Sequence, residues 1–225
     1  MRARSVIAID GPVGSGKSTV AGRLAQRLGF ECINTGAMYR AVAMAARATN
    51  LSAGDPRAEE KLIELLARAR IEFAGGKILL DGRDVSGTIV EPEIGELASQ
   101  LSTLRAVRER MRELQRKAGD RGGVVMEGRD IGTAVFPDAD FKFFLDARPE
   151  VRAERRYREL RERGVPIARE EVLAQLLERD RRDRGRELAP LKAADDAIVI
   201  DTSELSVEEV VSTIAERVAT RSSAI

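Results

Sequence analysis

Nine consecutive residues near the start of the chain, Gly11-Pro12-Val13-Gly14-Ser15-Gly16-Lys17-Ser18-Thr19, have types and spacing suited to holding phosphate. They fit G-x-x-x-x-G-K-[ST], in which the glycines let successive backbone N–H groups turn inward onto phosphate oxygens. The spacing predicts that Lys17 reaches the β- and γ-phosphates of a nucleoside triphosphate and that the Ser18 hydroxyl ligates Mg²⁺. As a loop lysine, Lys17 is expected to be exposed. No Asn-Lys-x-Asp guanine reader follows, which argues against a GTPase switch.

Arginines supply the next candidates, and 32 of the 38 basic residues are arginine. The guanidinium presents a planar fork of donors that matches phosphate and carboxylate oxygens. Arg40 follows Asn34-Thr35-Gly36, and Arg129-Asp130 follows the apolar run VVMEG, so both clusters belong to strand ends. The stretch Arg148–Arg186 holds 13 arginines and nine carboxylates. Its front part, Arg152–Arg163, reads as solvated helix faces laced by i,i+4 ion pairs. Its end, Arg179-Asp180-Arg181-Arg182-Asp183-Arg184-Gly185-Arg186, reads as a lid that neutralises charge on a transferring phosphoryl group and excludes water. Lys17, Arg179 and Arg184 are therefore the candidate catalytic residues.

The elements that must position these groups follow from periodicity. SVIAID before the glycines reads as a buried strand, and Lys17–Leu28 as a helix closed by Gly29. A strand at Phe30–Ile33 and a helix over Met38–Ala48 continue an alternation that predicts a parallel α/β sheet. Asp55-Pro56 is expected to cap a helix running to about Arg70. Short strands at Ile71–Ala74, Lys77–Asp81 and Asp84–Ser86, broken by Gly75-Gly76 and Asp81-Gly82, then predict antiparallel hairpins inside an insert. Helices are expected at Arg105–Ala118, Glu150–Arg163, Glu170–Arg184 and Val207–Thr220. The remaining strands are placed at Val124–Glu127, Phe141–Asp146 and Ala197–Asp201, and the last few residues are expected to be disordered.

Composition narrows the class. The chain has 225 residues, 43% of them hydrophobic, and a formal net charge of +1, which argues against a polybasic nucleic-acid binder and against an acidic disordered tail. Histidine is absent and cysteine occurs once, at Cys32, so Ser-His-Asp triads, Cys-His dyads, His-ligated metals and thiolate zinc sites are excluded. No apolar run approaches the ~20 residues of a membrane span, and MRARSVIAID lacks the hydrophobic stretch of a signal peptide. The expectation is a cytoplasmic protein with no membrane or nucleic-acid partner.

IDGPVGSGKST, TGAMYRA, DGRDVSGTI, ASQLS, EGRDIGTAVFPDA, FKFFLDA and ERDRRDRGRELAPL, in this order from about Ile7 to Asp201, resemble the bacterial cytidylate kinase family of nucleoside monophosphate kinases. The resemblance implies an α/β fold: a parallel-sheet P-loop kinase core (1–61, 100–147, 187–225), a small inserted monophosphate-binding domain (62–99) and a short arginine-rich lid (148–186). It implies a monomer that transfers phosphoryl from MgATP to CMP, and to dCMP, in pyrimidine nucleotide metabolism. Gly11–Thr19 would hold ATP. Arg40 and Arg129, with Thr35, would hold the acceptor phosphate; Ser99, Arg108 and Asp130 the cytosine; Arg179, Asp183 and Arg186 the CMP from the lid side. One departure is Asn34, where the family carries an acidic residue. Two other readings stay open here, a kinase of another monophosphate or metabolite hydroxyl and a nucleotide-regulated RNA binder. Two tyrosines and six phenylalanines offer little base stacking for the latter.

Overall fold

The five residues of β1, Val6–Asp10, are all buried. They pair in parallel with β6 (Val124–Gly128) on one side and β7 (Phe141–Asp146) on the other. A central parallel strand is covered on both faces, which is why Val6–Ile9 is continuously apolar rather than alternating. With β2 (Glu31–Asn34) and β8 (Ile198–Asp201) at its edges, the sheet has the order β2-β6-β1-β7-β8. The computed structural model describes residues 5–51, 57–74 and 76–222. The expected Asp55-Pro56 cap, Gly75 and the expected disorder of the last few residues, 223–225, lie outside the described residues.

The chain divides into two compact units, one built from the segments up to Cys32 and from Gly122 onward, the other from Ile33–Arg121. In the first, α1 (Lys17–Leu28) and α8 (Val207–Ser222) pack on the sheet, burying Val20, Leu24, Val210 and Ile214 against Ile7, Ile9, Phe143 and Leu145. Gly29 ends α1 in the left-handed region, its N–H returning to the carbonyls of Ala25 and Gln26. A π-helical turn, Ile131–Val135, follows β6, and α6 (Pro149–Glu162) and α7 (Arg169–Gly185) pack together through Ala153, Leu160, Val172 and Leu176.

The second unit has its own core. Helices α2 (Thr35–Ala48), α3 (Ala58–Arg68), α4 (Pro92–Leu101) and α5 (Arg105–Gly119) surround Met38, Val42, Leu62, Ile94, Leu101 and Met111. An antiparallel sheet of β3 (Ile71–Ala74), β4 (Lys77–Leu80) and β5 (Arg83–Asp84) belongs to it. Asp81 and Gly82, both with positive φ, form the tight turn between β4 and β5 that Asp-Gly predicts. The segment 62–99 lies within this larger unit.

Three expectations needed correction. Helix α2 starts at Thr35 rather than Met38, because the Asn34 side chain accepts the Ala37 N–H at 3.0 Å and so caps the helix. Helix α4 had no counterpart in the expected elements. Strand β5 ends at Asp84, whose carboxylate instead closes a turn onto the Ser86 N–H.

Candidate active site

The phosphate loop is held open by its surroundings. Gly11 has φ +153, and a Cβ there would stand 2.1 Å from the Leu145 carbonyl oxygen; Gly14 has φ +77, and its Cβ would stand 2.7 Å from the Arg152 carbonyl oxygen. Neither position accepts a side chain. Helix α1 then begins with no side-chain cap, leaving the backbone donors of its first turn for an anion. Thr202, after β8, donates from Oγ1 to the Ser15 carbonyl at 3.0 Å, and Arg155 in turn donates to Thr202 Oγ1 at 3.1 Å.

Lys17 is buried, contrary to the exposure expected of a loop lysine. Its Nζ donates to the Pro12 carbonyl at 3.1 Å and lies 4.0 Å from Glu127 Oε2. Burial pulls its pKa down to about 7, and the charges of Arg129 and Arg179 push the same way, while Glu127 and Asp183 oppose them. Two guanidinium charges thus repel one buried ammonium, and an anion would relieve that repulsion. Ser18 Oγ donates to Glu127 Oε1 at 2.7 Å. These are hard oxygen donors of the kind Mg²⁺ takes, and Mg²⁺ normally completes its shell with water and substrate phosphates. Among the described residues no cluster of three acidic, cysteine or histidine side chains offers an all-protein metal cage. The two oxygens beside the loop thus fit a metal that arrives with a nucleotide.

Around the carboxyl end of β6 the structure brings several expected residues together. Arg129 Nε donates to Asp183 Oδ2 at 3.1 Å, and Arg186 Nη1 lies 3.7 Å from Asp183 Oδ1. Burial works against ionising Asp183, but Arg129, Arg179 and Arg186 outweigh it and hold the carboxyl below its ordinary range. Asp130 is buried at the start of the π-helical turn, its carbonyl accepting from Ala134 and Val135. Arg184 stands apart, exposed, with Nη2 3.6 Å from Asp146 Oδ2. The front of the arginine-rich stretch carries part of what was expected of it: Arg158–Glu154 and Arg163–Glu159 are i,i+4 pairs at 2.8 Å, with Arg156–Glu159 an i,i+3 pair at 2.7 Å. Arg152 corrects that expectation, since it is buried rather than on a solvated face, its guanidinium turned inward to the Ala147 and Val13 carbonyls and to Asp180.

Two buried carboxylates were not among the sequence candidates. Glu127 is the last side chain of β6 before Gly128, and its acidic type at the end of a strand beside β1 was the available signal. Asp10 ends β1 and accepts from the backbone N–H groups of Ile131 at 2.9 Å and Gly132 at 2.8 Å, so it holds the turn that follows Arg129-Asp130. Burial raises its carboxyl to about 7 against the lowering effect of those two donors, with Asp130 raising it further and Arg129 lowering it.

In the second unit the expected residues also converge. Thr35 is buried in the first turn of α2. Gly95 on α4 faces Arg40: a Cβ at Gly95 would stand 3.7 Å from Arg40 Nη2. Ser99, one turn further along α4, is buried, and its carbonyl accepts from Ser102 Oγ at 2.7 Å. Arg108, buried on α5, donates from Nη1 to the Ser102 carbonyl at 3.2 Å and lies 6.0 Å from the centre of the Tyr39 ring.

A family model for cytidylate kinase matches residues 7–220. A cytidylate kinase of Thermotoga neapolitana is 47% identical over 215 residues, covering 96% of this chain and 97% of that protein. One of Citrifermentans bemidjiense is 48% identical, covering 95% and 94%, and one of Solibacter usitatus is 48% identical, covering 97% and 94%. Among solved structures, an uncharacterized protein from Eubacterium ventriosum, 14% identical, superposes with a TM-score of 0.52 over 96% of this chain and 99% of that one, a likeness of fold alone. With the phosphate loop formed at the end of a central parallel strand and the match running across both units, the chain belongs to the cytidylate kinase family.

Proposed function

We propose that this chain transfers the γ-phosphoryl group of ATP to CMP, and to dCMP, giving ADP and CDP or dCDP within pyrimidine nucleotide metabolism. The observation that carries the reading is the state of Lys17, a buried ammonium pulled down to about 7 and flanked by the charges of Arg129 and Arg179, at the foot of a loop whose backbone donors are free of side-chain caps. Such a site binds and stabilises negative charge on phosphoryl oxygens.

Gly11–Thr19 wraps the triphosphate, and Lys17 lies against its β- and γ-phosphates. An oxygen of the CMP phosphate attacks the γ-phosphorus in line, the bond to the β,γ-bridging oxygen breaks, and ADP leaves. The attacking group is already an anion, so a chain without histidine needs no side-chain base. Arg179 and Arg184, from the stretch 148–186 that acts as lid, neutralise charge on the equatorial oxygens. Ser18, with Glu127 beside it, holds Mg²⁺, which supplies charge neutralisation on the phosphates when bound.

Arg129 and Arg40, with Thr35, hold the acceptor phosphate, and the segment 62–99 serves as the monophosphate-binding insert. Asp183 takes the sugar hydroxyls, with Arg186 beside it. Ser99, Arg108 and Asp130 read the base: a carboxylate accepts from the cytosine amino group, and a guanidinium donates to its O2 and N3. Uracil reverses the donor and acceptor at both places. The chain acts as a monomer in the cytoplasm, and among the described residues no helix is long and apolar enough to cross a membrane.

ADP release, coupled to a spectrophotometric readout, is measured with CMP, dCMP, UMP, AMP and no acceptor. CMP and dCMP should support rates far above the others. Equal rates with and without acceptor would make the chain an ATPase, and preference for AMP or UMP would refute the base-reading assignment.

A further inference from the structure

Arg152 is buried where none of the steps above uses it. Its side chain is 3% exposed, and each of its three nitrogens is engaged by protein. Nε donates to the Ala147 carbonyl at 2.8 Å, Nη1 to the Val13 carbonyl in the phosphate loop at 3.3 Å, and Nη2 lies 2.7 Å from Asp180 Oδ2 on α7. The Arg152 backbone touches the loop as well, at the place where a Cβ on Gly14 would collide with its carbonyl. Asp180 is also buried, and its second oxygen, Oδ1, has no hydrogen-bond partner, so the ion pair is what compensates its burial.

A buried ion pair contributes little net stability compared with apolar side chains of similar volume, whereas a planar guanidinium fork fixes geometry closely. The geometry fixed here joins two functional regions. One end of the fork rests on the phosphate loop, and the other holds α7 at Asp180, the neighbour of Arg179. Arg179 in turn acts electrostatically on both Lys17 and Asp183.

We infer that Arg152 and Asp180 are positioning residues for phosphoryl transfer: by tying the Val13 carbonyl to α7, the pair sets where Arg179 stands relative to the phosphate loop. The inference rests on the proposed transfer to CMP and on Arg179 acting in it. A misplacement of about 1 Å in such an arrangement can slow a reaction on the order of a hundredfold.

Asp180→Asn keeps the side-chain size and an acceptor for the guanidinium while removing the charge. The folded variant should bind ATP within about twofold of the parent by calorimetry, while kcat with CMP falls about tenfold. Arg152→Lys, which cannot reach all three partners at once, should show the same split instead of rescuing activity. The decisive readout is the double variant Arg179→Ala with Asp180→Asn: it should be no slower than Arg179→Ala alone, because nothing remains to be positioned. Losses that multiply in the double variant, or an unchanged kcat in Asp180→Asn, would overturn the inference. A parent chain with no CMP-dependent ADP release, or an undiminished Arg179→Ala, would instead refute the transfer reading itself, and the inference with it.

Discussion

The first unit shapes its phosphate loop by backbone, and the second makes its candidate site from side chains on helix faces. At Gly11 and Gly14 the main chain passes so close to Leu145 and Arg152 that no Cβ fits, and the groups offered to a ligand are N–H groups at the start of α1. In the second unit Arg40, Ser99 and Arg108 come from α2, α4 and α5, with Ser102 donating to the Ser99 carbonyl and accepting from Arg108, and the turn glycines Gly76 and Gly82 have open space around them. The difference teaches which part of a function a short motif can carry. A backbone site needs particular residues in one continuous run, so a run betrays it. A helix-face site needs only that three helices pack in one way, and its residues, such as Arg40 and Ser99, need not lie in one run.

Replacing the charge of the first unit should have the largest effect. Lys17→Met keeps the buried stem while removing the ammonium, and kcat should fall on the order of a hundred- to a thousandfold with the thermal transition retained. Turnover near the parent's would remove the loop from the mechanism. Asp130→Ala comes next. The loss of one hydrogen bond to a charged group, about 1.5–3 kcal/mol, should narrow the CMP/UMP ratio of kcat/KM about ten- to a hundredfold while KM for ATP hardly moves. An unchanged ratio would return Arg129-Asp130 to a structural role.

Asp10 gives a pH test of the same unit. Its carboxyl sits at about 7 in the folded chain against an ordinary 3.8, so between those values the folded state holds a proton that the unfolded state has released. Stability from this group is present in full below pH 4 and is lost as pH rises toward 7. In urea titrations the parent should therefore lose on the order of 1 kcal/mol per pH unit, at most, relative to Asp10→Asn across that window, and nothing further above it. Parallel curves across the window would contradict the raised pKa. The smallest effect belongs to the second unit. Gly82→Ala meets only the strain of its φ of +78, and should cost about 1 kcal/mol with kcat unchanged. The same substitution at Gly14, with φ +77, must in addition displace the Arg152 backbone, and should cost more and lower kcat. Equal costs at the two glycines would erase the distinction between the units.

What the sequence made legible follows the same division. The spans of α1, β3 and β7 coincide with those read from periodicity and punctuation, because each is bounded by a glycine or by a switch from apolar to polar residues. The start of α2 was read late, since Asn34 looked like the end of a strand and serves also as a cap. Helix α4 has no counterpart among the expected elements although Glu91-Pro92 marks its first turn. The burial of Lys17 was not legible at all. Its surroundings include Glu127 at the end of β6, 4.0 Å away, and the charge of Arg129 just after that strand, both more than a hundred positions along the chain. Glu127 and Asp10 escaped notice for a related reason: an acidic residue at the end of an apolar strand reads as the strand's polar boundary unless one knows that β1 and β6 lie side by side. The convergence of Arg40, Ser99 and Arg108 within the second unit could be anticipated only through the resemblance to cytidylate kinases.

The most direct test of the account follows the phosphorus itself. ATP labelled in the γ-phosphate is incubated with the full chain, Mg²⁺ and an equimolar mixture of CMP and UMP, and the labelled products are separated by chromatography. The account predicts label in CDP, in its β-phosphate, with little in UDP or inorganic phosphate. Label confined to inorganic phosphate, or shared equally between CDP and UDP, would contradict it.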